Sequence, residues 1–171
     1  TLGLADLGMQ RWYGWDGAND NLWAQSLRPL LDAREMDSSL AGVAQTVRSQ
    51  ADLREGYHRA FGMAPSADDE HVAVDIAKAL AAYQETHRSA AAAYPLSSQR
   101  GLALFLGRAR CYVCHSGPNF SNGEFGDIGV PFFVAKGQVD PGRHGGIRSL
   151  RACSSHCVSL MPLRTSRRFA A

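Results

Sequence analysis

The five residues Cys111-Tyr112-Val113-Cys114-His115 have the types and spacing that most directly indicate chemistry. Cysteines at i and i+3 lie on the same side of one helical turn, so their thiols can form thioethers with the two vinyl groups of one porphyrin. An imidazole directly after the second cysteine can bind iron at the ring centre. The motif therefore predicts a covalently attached c-type haem, bound by Cys111 and Cys114, with His115 as the proximal iron ligand.

The second ring nitrogen of His115 is expected to donate a hydrogen bond to a backbone carbonyl near Pro118, which would set the imidazole tautomer. A zinc site is the alternative, because C-x-x-C pairs also occur in zinc ribbons. The C-terminal tail holds further candidate zinc ligands, namely Cys153, His156 and Cys157. With Cys111 and Cys114 they would make a small metal-stapled binding module, although zinc gives no reason for a histidine directly after Cys114.

Composition limits the possible classes of protein. The 171 residues suffice for one ordinary domain or two small ones, and a net charge of +2 does not suggest a nucleic-acid partner. No apolar run reaches the roughly 18 residues of a membrane-spanning helix, so no span is predicted. The chain starts at Thr1 rather than at methionine, so an export signal could have been lost and its absence says little.

Apolar periodicity predicts a mainly α fold before the motif. Asp20 is expected to cap a first helix that Pro29 bends or ends, and Asp37 or Ser38 should start a second. A third should stop near Gly62. The expected inward faces of these helices are, in order, Leu22, Trp23, Leu27, Leu30 and Leu31; Leu40, Val43, Ala44 and Val47; Leu53, Tyr57, Ala60 and Phe61.

Two further helices lead to the motif. Ser66 with Asp69 predicts a capping box that opens a long helix reaching about Arg88. Ser97 should cap the helix that precedes Cys111. Their expected inward faces are Val72, Ile76, Ala79, Leu80 and Tyr83, and then Leu102, Phe105 and Leu106. Residues 116–146 are rich in Gly, Pro, Asn and Asp, which predicts a loop around the haem edge with a brief strand pair.

An ordered set of motifs resembles the bacterial di-haem cytochrome c peroxidases and their MauG-like relatives from about Leu2 to Ile147. The matching residues are Trp15-Asp16-Gly17, Gln25, Pro29, Glu35-Met36, the long helix, Cys111 to Phe120, Asn122 to Phe125, Asp127 to Val130 and Asp140 to Arg143. The resemblance implies cytochrome-like helical domains with two c-type haems. By this resemblance, one haem would cleave peroxide and the second, at Cys111, Cys114 and His115, would receive electrons.

The resemblance also implies a division of the chain. Residues 1–95 would be part of the peroxidatic domain and inter-domain helices, with that haem's own motif upstream of Thr1. Residues 96–147 would be part of the electron-transfer domain. Residues 148–171 depart from the family, carry five arginines and no acid, and are expected to be a disordered tail produced by a frameshift or early stop.

Three residues acquire catalytic roles through the resemblance. Glu35 would move a proton between the peroxide oxygens, since a carboxylate in a partly apolar pocket can both take and return one. Gln25, near Pro29, would hydrogen-bond peroxide or water, and Trp15 would relay electrons between the haems. The alternatives are an exposed glutamate, a solvent-facing glutamine and an ordinary buried tryptophan. The sixth haem ligand has no secure candidate, and Met161, the one methionine after the motif, lies in the divergent tail.

The implied whole protein is a periplasmic oxidoreductase that reduces hydrogen peroxide to water. Its electron donor would be a small cytochrome c or a cupredoxin, and calcium and a homodimer are possible. MauG-like oxidation of a protein substrate is one alternative and a monohaem electron-transfer cytochrome is another. By itself the chain is expected to show little peroxidase turnover.

Overall fold

A computed structural model describes residues 3–89, 95–117, 119–126, 133–135 and 137–151, and this part of the chain is mainly helical, as predicted. No helix in these ranges is both long and apolar enough to cross a membrane. Short 3-10 helices cover Leu7–Met9 and Cys111–Val113. The α-helices are α1 Leu22–Leu31, α2 Leu40–Ser49, α3 Ala51–Phe61, α4 Asp69–Glu85, α5 Leu96–Leu106 and α6 Arg143–Arg151; an antiparallel pair joins β1 Phe133–Ala135 to β2 Gln138–Val139.

Helices α1, α2 and α4 start one to three residues later than the sequence predicts. Asn21 caps α1 by accepting from the Ala24 amide at 2.8 Å, and Ser39 caps α2. Asp68 rather than Ser66 caps α4, because the Asp68 carboxylate accepts from the Glu70 amide at 3.0 Å. Several neighbouring polar residues could cap each helix. The residue that does so has an extended backbone, and its side chain accepts a hydrogen bond from an amide of the first turn.

Helix α4 packs against both α1 and α2 and forms the centre of the core. Leu27 of α1 is fully buried against Ala73 and Ala77. The predicted inward face of α4 is therefore wrong at Ala79 and Tyr83, which are exposed. Val72 is fully buried as predicted, whereas Ala73 and Ala77, which the predicted face did not include, are fully buried as well and let α1 approach closely.

A second cluster joins α2, α3 and α4 through Ala44, Val47, Tyr57 and Val72. The Tyr57 ring packs on Phe61 with centroids 4.6 Å apart, and its hydroxyl donates to the Asp75 carboxylate. Leu53 and Ala60 are exposed, so half of the inward face predicted for α3 is wrong. Tyr57 is the buried residue of α3, and the partly buried Phe61 packs against the same cluster.

Tyr57 predicts a loss of stability at alkaline pH. Burial, and then the hydrogen bond to Asp75, raise the pKa of Tyr57 above its ordinary value of about 10. The folded state keeps this proton where the unfolded state releases it, so the free energy of unfolding should fall as pH rises above about 10. The free energy of unfolding is measured by urea denaturation at pH 8 to 11, followed by circular dichroism. It should fall less steeply with pH in Tyr57→Phe than in the unmodified chain. Tyr83→Phe, at an exposed ring, is the matched control; equal slopes for the two variants would contradict the prediction.

Helix α5 differs from the others in that none of its described side chains is buried. Leu102 and Phe105 are half-buried, whereas Leu106, predicted to face inward, is 55% exposed. The helix begins directly after Pro95, without the expected side-chain cap from Ser97. Within residues 116–142, those described form no helix, and β1 and β2 provide the predicted strand pair. Helix α6 departs from the prediction, because it begins at Arg143, inside the segment predicted as loop, and continues to Arg151, into the segment predicted as a disordered tail.

Candidate haem-attachment site

The C-x-x-C-H motif forms a tight turn at the end of α5. Arg110 adopts a left-handed conformation with φ of 54°, and Cys111–Val113 then form a single 3-10 turn. The Cys114 and His115 amides both donate to the Cys111 carbonyl, at 3.2 and 2.9 Å. Side chains at i and i+3 eclipse in a 3-10 turn. The two thiols, both free, therefore lie on one side of the turn, as thioether formation to a single porphyrin requires.

His115 is held in one orientation by the backbone that follows it. Its Nδ1 lies 3.0 Å from the Phe120 carbonyl oxygen. A carbonyl can only accept, so Nδ1 carries the hydrogen and Nε2 keeps the lone pair that can bind iron. The expected bond to a carbonyl is present, two residues beyond Pro118. Pro118 itself lies outside the described residues.

Phe120 and Gly117 shape the loop that returns to His115. Both have positive φ, 50° and 74°, and the Asn122 amide donates to the Cys114 carbonyl at 3.2 Å. The Phe120 ring meets Phe105 of α5 edge-on, with centroids 5.4 Å apart. The loop is thereby packed against α5 and places the carbonyl beside the imidazole.

The residues at the motif fit a porphyrin. Two free thiols and an imidazole with an available Nε2 are the donors that a c-type haem needs. Large apolar side chains on α5 and around the motif are 42–55% exposed. They can contact a flat, largely apolar ligand. They are Leu104, Leu106, Tyr112, Val113 and Phe120.

The turn at Trp15-Asp16-Gly17, called the Trp15 turn below, contacts the segment that begins at Asp140. The Trp15 indole Nε1 donates to the Asp140 carboxylate at 2.7 Å, and the other Asp140 oxygen accepts from the Gly142 amide at 2.8 Å. The Arg143 guanidinium lies over the Trp12 ring, 4.2 Å from its centroid, and donates to the Asp16 and Gly17 carbonyls. We call these contacts between residues 12–17 and 140–146 the turn–segment contact. Sequence patterns did not reveal it, although both partners belong to the motifs that carry the resemblance.

Close backbone approach in the turn–segment contact predicts an effect of Gly146→Ala. A Cβ at Gly146 would lie 2.5 Å from the Asp16 carbonyl oxygen, and a backbone atom cannot move aside as a flexible side chain can. We expect the variant to lose about 1–3 kcal/mol of unfolding free energy in urea denaturation. Gly56→Ala, in α3 with no atom within 4 Å of the new Cβ, is the control and should be neutral or stabilising. A Gly146 variant as stable as the Gly56 variant would contradict this packing.

Gln25 and Glu35 lie at opposite ends of α1. The Gln25 side-chain oxygen accepts from Asn19 at 2.8 Å and lies beside Gly14, so it borders the Trp15 turn. Glu35 is exposed on the loop after α1, where its amide donates to the Asp32 carbonyl at 2.9 Å. In that loop the Arg34 guanidinium lowers the pKa of the Asp32 carboxylate. The catalytic roles of Trp15, Gln25 and Glu35 stay predictions.

The structure describes some of the candidate metal ligands and not others. Within the described residues, no group of three or more His, Cys, Asp or Glu side chains could hold a metal ion. The additional ligands of the zinc alternative, and Met161 as a sixth haem ligand, lie outside the described residues.

Comparison with known proteins agrees with the motif-based resemblance. Residues 1–101 match the family model of the di-haem cytochrome c peroxidases. The chain is 31% identical over 129 residues to the methylamine utilization protein MauG of Methylorubrum extorquens, which covers 69% of this chain and 35% of that protein. It is 29% identical over 163 residues to MauG of Methylophilus methylotrophus, covering 88% and 45%.

The chain is also similar to a relative that is named as a cytochrome-c peroxidase rather than as MauG. The chain is 34% identical over 131 residues to the cytochrome-c peroxidase IdrP1 of Denitromonas iodatirespirans, covering 66% of this chain and 34% of that protein. The chain thus spans between about a third and a half of the length of these curated relatives. Because the family model covers more than half of the chain, the chain belongs to the di-haem cytochrome c peroxidase family.

Proposed function

We propose that this chain is part of a di-haem oxidoreductase and attaches one haem c through Cys111 and Cys114, with His115 as the proximal ligand. The observation that carries the proposal is the 3.0 Å contact between His115 Nδ1 and the Phe120 carbonyl. It leaves Nε2 available at the turn where both thiols lie on one side. Family membership supports c-type haem as the cofactor.

The reaction proposed for the whole protein is reduction of hydrogen peroxide to water with electrons from a small cytochrome c or cupredoxin. The haems would supply the redox chemistry. Of the residues in this chain, Glu35 would take and return a proton, and the Gln25 amide would orient peroxide or water by hydrogen bonds. Trp15 would carry electrons between the haem domains. A relative named as a cytochrome-c peroxidase supports this choice.

The proposed organisation follows from that function. Residues 1–95 would belong to the peroxidatic domain, whose own haem motif would lie outside this chain, and residues 96–147 to the electron-transfer domain. The buried clusters of α1–α4 and the absence of buried side chains in α5, among the described residues, support a boundary near residue 95. Thioether attachment of haem would place the protein in an oxidising, extracytoplasmic compartment, the periplasm. Calcium and a homodimer are further proposals for the whole protein.

The second candidate is MauG-like oxidation of a protein side chain. It is favoured by the extent of the similarity to proteins named MauG, one of which aligns with 88% of the chain. The two candidates share the site at Cys111, Cys114 and His115 and differ in the final electron source. Peroxide-dependent oxidation of a reduced small cytochrome c by the whole protein favours the first candidate. Peroxide consumption with a protein substrate as the sole electron source favours the second.

One experiment tests haem attachment itself. The chain is expressed together with a c-type haem maturation system, and its pyridine haemochrome spectrum and zinc content are measured. We expect one covalent haem per chain and no stoichiometric zinc. A colourless chain with one zinc ion would support the metal-stapled binding module instead.

A further inference from the structure

Two tryptophans three residues apart have neighbours of opposite charge. The indole Nε1 of Trp15 is 2.7 Å from an Asp140 carboxylate oxygen. The Trp12 ring instead has the Arg143 guanidinium 4.2 Å from its centroid. Both charged residues belong to one four-residue stretch, Asp140 to Arg143, and the turn–segment contact holds this stretch against the tryptophans.

These neighbours change how readily each ring loses an electron. Oxidation leaves a positive charge on the indole. A carboxylate in contact with the ring stabilises that charge, whereas a guanidinium over the ring face destabilises it. The guanidinium is attracted to the neutral Trp12 ring by its quadrupole, and this attraction turns into repulsion once the ring is positive.

We propose that Asp140 and Arg143 direct one-electron oxidation to Trp15 and away from Trp12. In the step, the Trp15 indole gives one electron to a one-electron oxidant, which is reduced by one electron. The Nε1 proton stays on the indole, in its hydrogen bond to Asp140. Asp140 is thus a positioning residue that also balances the charge on Trp15, and Arg143 is the residue that disfavours Trp12.

The inference deepens the proposed function, since an electron relay at Trp15 needs the charge to stay on one ring. The inference depends on the proposed function only for the origin of the oxidant. In the whole protein, that oxidant would be peroxide acting through the haems. In the sequence, Asp140 belongs to the motif Asp140 to Arg143 and has no role assigned to it. The structure gives it a role at a residue 125 positions earlier in the chain.

The test uses an external oxidant, so its result is separate from that of the haem-attachment experiment. The full chain is oxidised by added tris(bipyridine)ruthenium(III), which takes one electron and becomes the ruthenium(II) complex, and tandem mass spectrometry measures oxidation at each tryptophan. One tryptic peptide, residues 12–34, contains all three tryptophans, so Trp23 serves as an internal reference. Asp140→Asn keeps a hydrogen-bond acceptor and removes the charge. We expect it to lower the ratio of Trp15 to Trp12 oxidation by about fivefold, as for a contact charge pair near a surface.

Asp52→Asn is the matched control. It makes the same substitution on an exposed residue of α3 and causes the same change in attraction for the cationic oxidant, so its ratio should stay within about twofold of the unmodified chain. Equal ratios in the Asp140 and Asp52 variants would overturn the proposal. The indole N–H resonance of Trp15, assigned with Trp15→Phe, should also move in Asp140→Asn, and an unmoved resonance would overturn it as well.

A loss of the native circular-dichroism spectrum in Asp140→Asn would transfer the test to Asp140→Glu. That variant keeps the negative charge on a longer side chain. It should move the Trp15 resonance and keep the oxidation ratio within about twofold of the unmodified chain. A ratio of Trp15 to Trp12 oxidation that is about fivefold lower in Asp140→Glu than in the unmodified chain would show that geometry alone favours oxidation of Trp15. That result would overturn the role of charge.

Discussion

The double variant Cys111→Ala/Cys114→Ala is expected to lose its covalently bound haem when expressed with a c-type haem maturation system. Both thioether bonds need a thiol on the 3-10 turn, and the variant leaves none there. His115 alone would hold a porphyrin by one coordinate bond, which acidified acetone breaks. We therefore expect at least about a tenfold loss of haem that resists acid-acetone extraction, measured by pyridine haemochrome absorbance per chain.

The tail cysteines provide a matched control for this prediction. Cys153→Ala/Cys157→Ala removes the same number of thiols from the same chain. It should keep full covalent haem if only the Cys111 turn binds the porphyrin. Under the zinc alternative, both double variants should lose metal. Equal haem loss in the two double variants would contradict attachment at Cys111 and Cys114.

Leu27→Ala is expected to cause the largest loss of stability among single substitutions in the described core. Leu27 has 0% exposure and lies between α1 and α4 against Ala73 and Ala77. Alanines on the facing helix cannot extend to fill the space that the leucine leaves. We expect a decrease of about 3–5 kcal/mol in the free energy of unfolding, toward the upper end for leucine-to-alanine changes. Urea denaturation followed by circular dichroism measures it.

Leu53→Ala is the control for the core prediction. It makes the same substitution at a side chain of α3 that is 41% exposed. Its effect should stay below about 1 kcal/mol, because little apolar surface returns to water. Similar losses for Leu27→Ala and Leu53→Ala would mean that α1 and α4 do not pack through Leu27.

The helices before the motif were predictable, whereas their buried faces were predictable only in part. Apolar spacing located α1 to α4, because each has a stripe of side chains that must leave water. The spacing did not show that α4 contacts two helices at once. Its most buried residues include Ala73 and Ala77, which provide little hydrophobic signal in a sequence but permit the closest helix packing. Tyr83, expected in the core, is 63% exposed.

The site was predictable where chemistry depends on adjacent residues. The C-x-x-C-H motif occupies five consecutive residues, so the turn that it forms could be predicted from those residues alone. The carbonyl that orients His115 could be assigned only to a neighbourhood, since it depends on the left-handed Phe120. The bond between Trp15 and Asp140 was not predictable, because nothing in either short motif specifies a partner so far away in the sequence.

That separation has a consequence for the order in which the protein matures. The partners of the Trp15 turn lie 125 to 127 residues further along, so the turn cannot settle until most of the polypeptide has been synthesised. Helices α1 to α4 contact one another within the first 85 residues and can assemble much earlier. Cys111 and Cys114, the cysteines of the proposed haem site, lie between these two stretches in the sequence. The proposed attachment of haem at their turn would therefore not have to wait for Asp140 and the turn–segment contact.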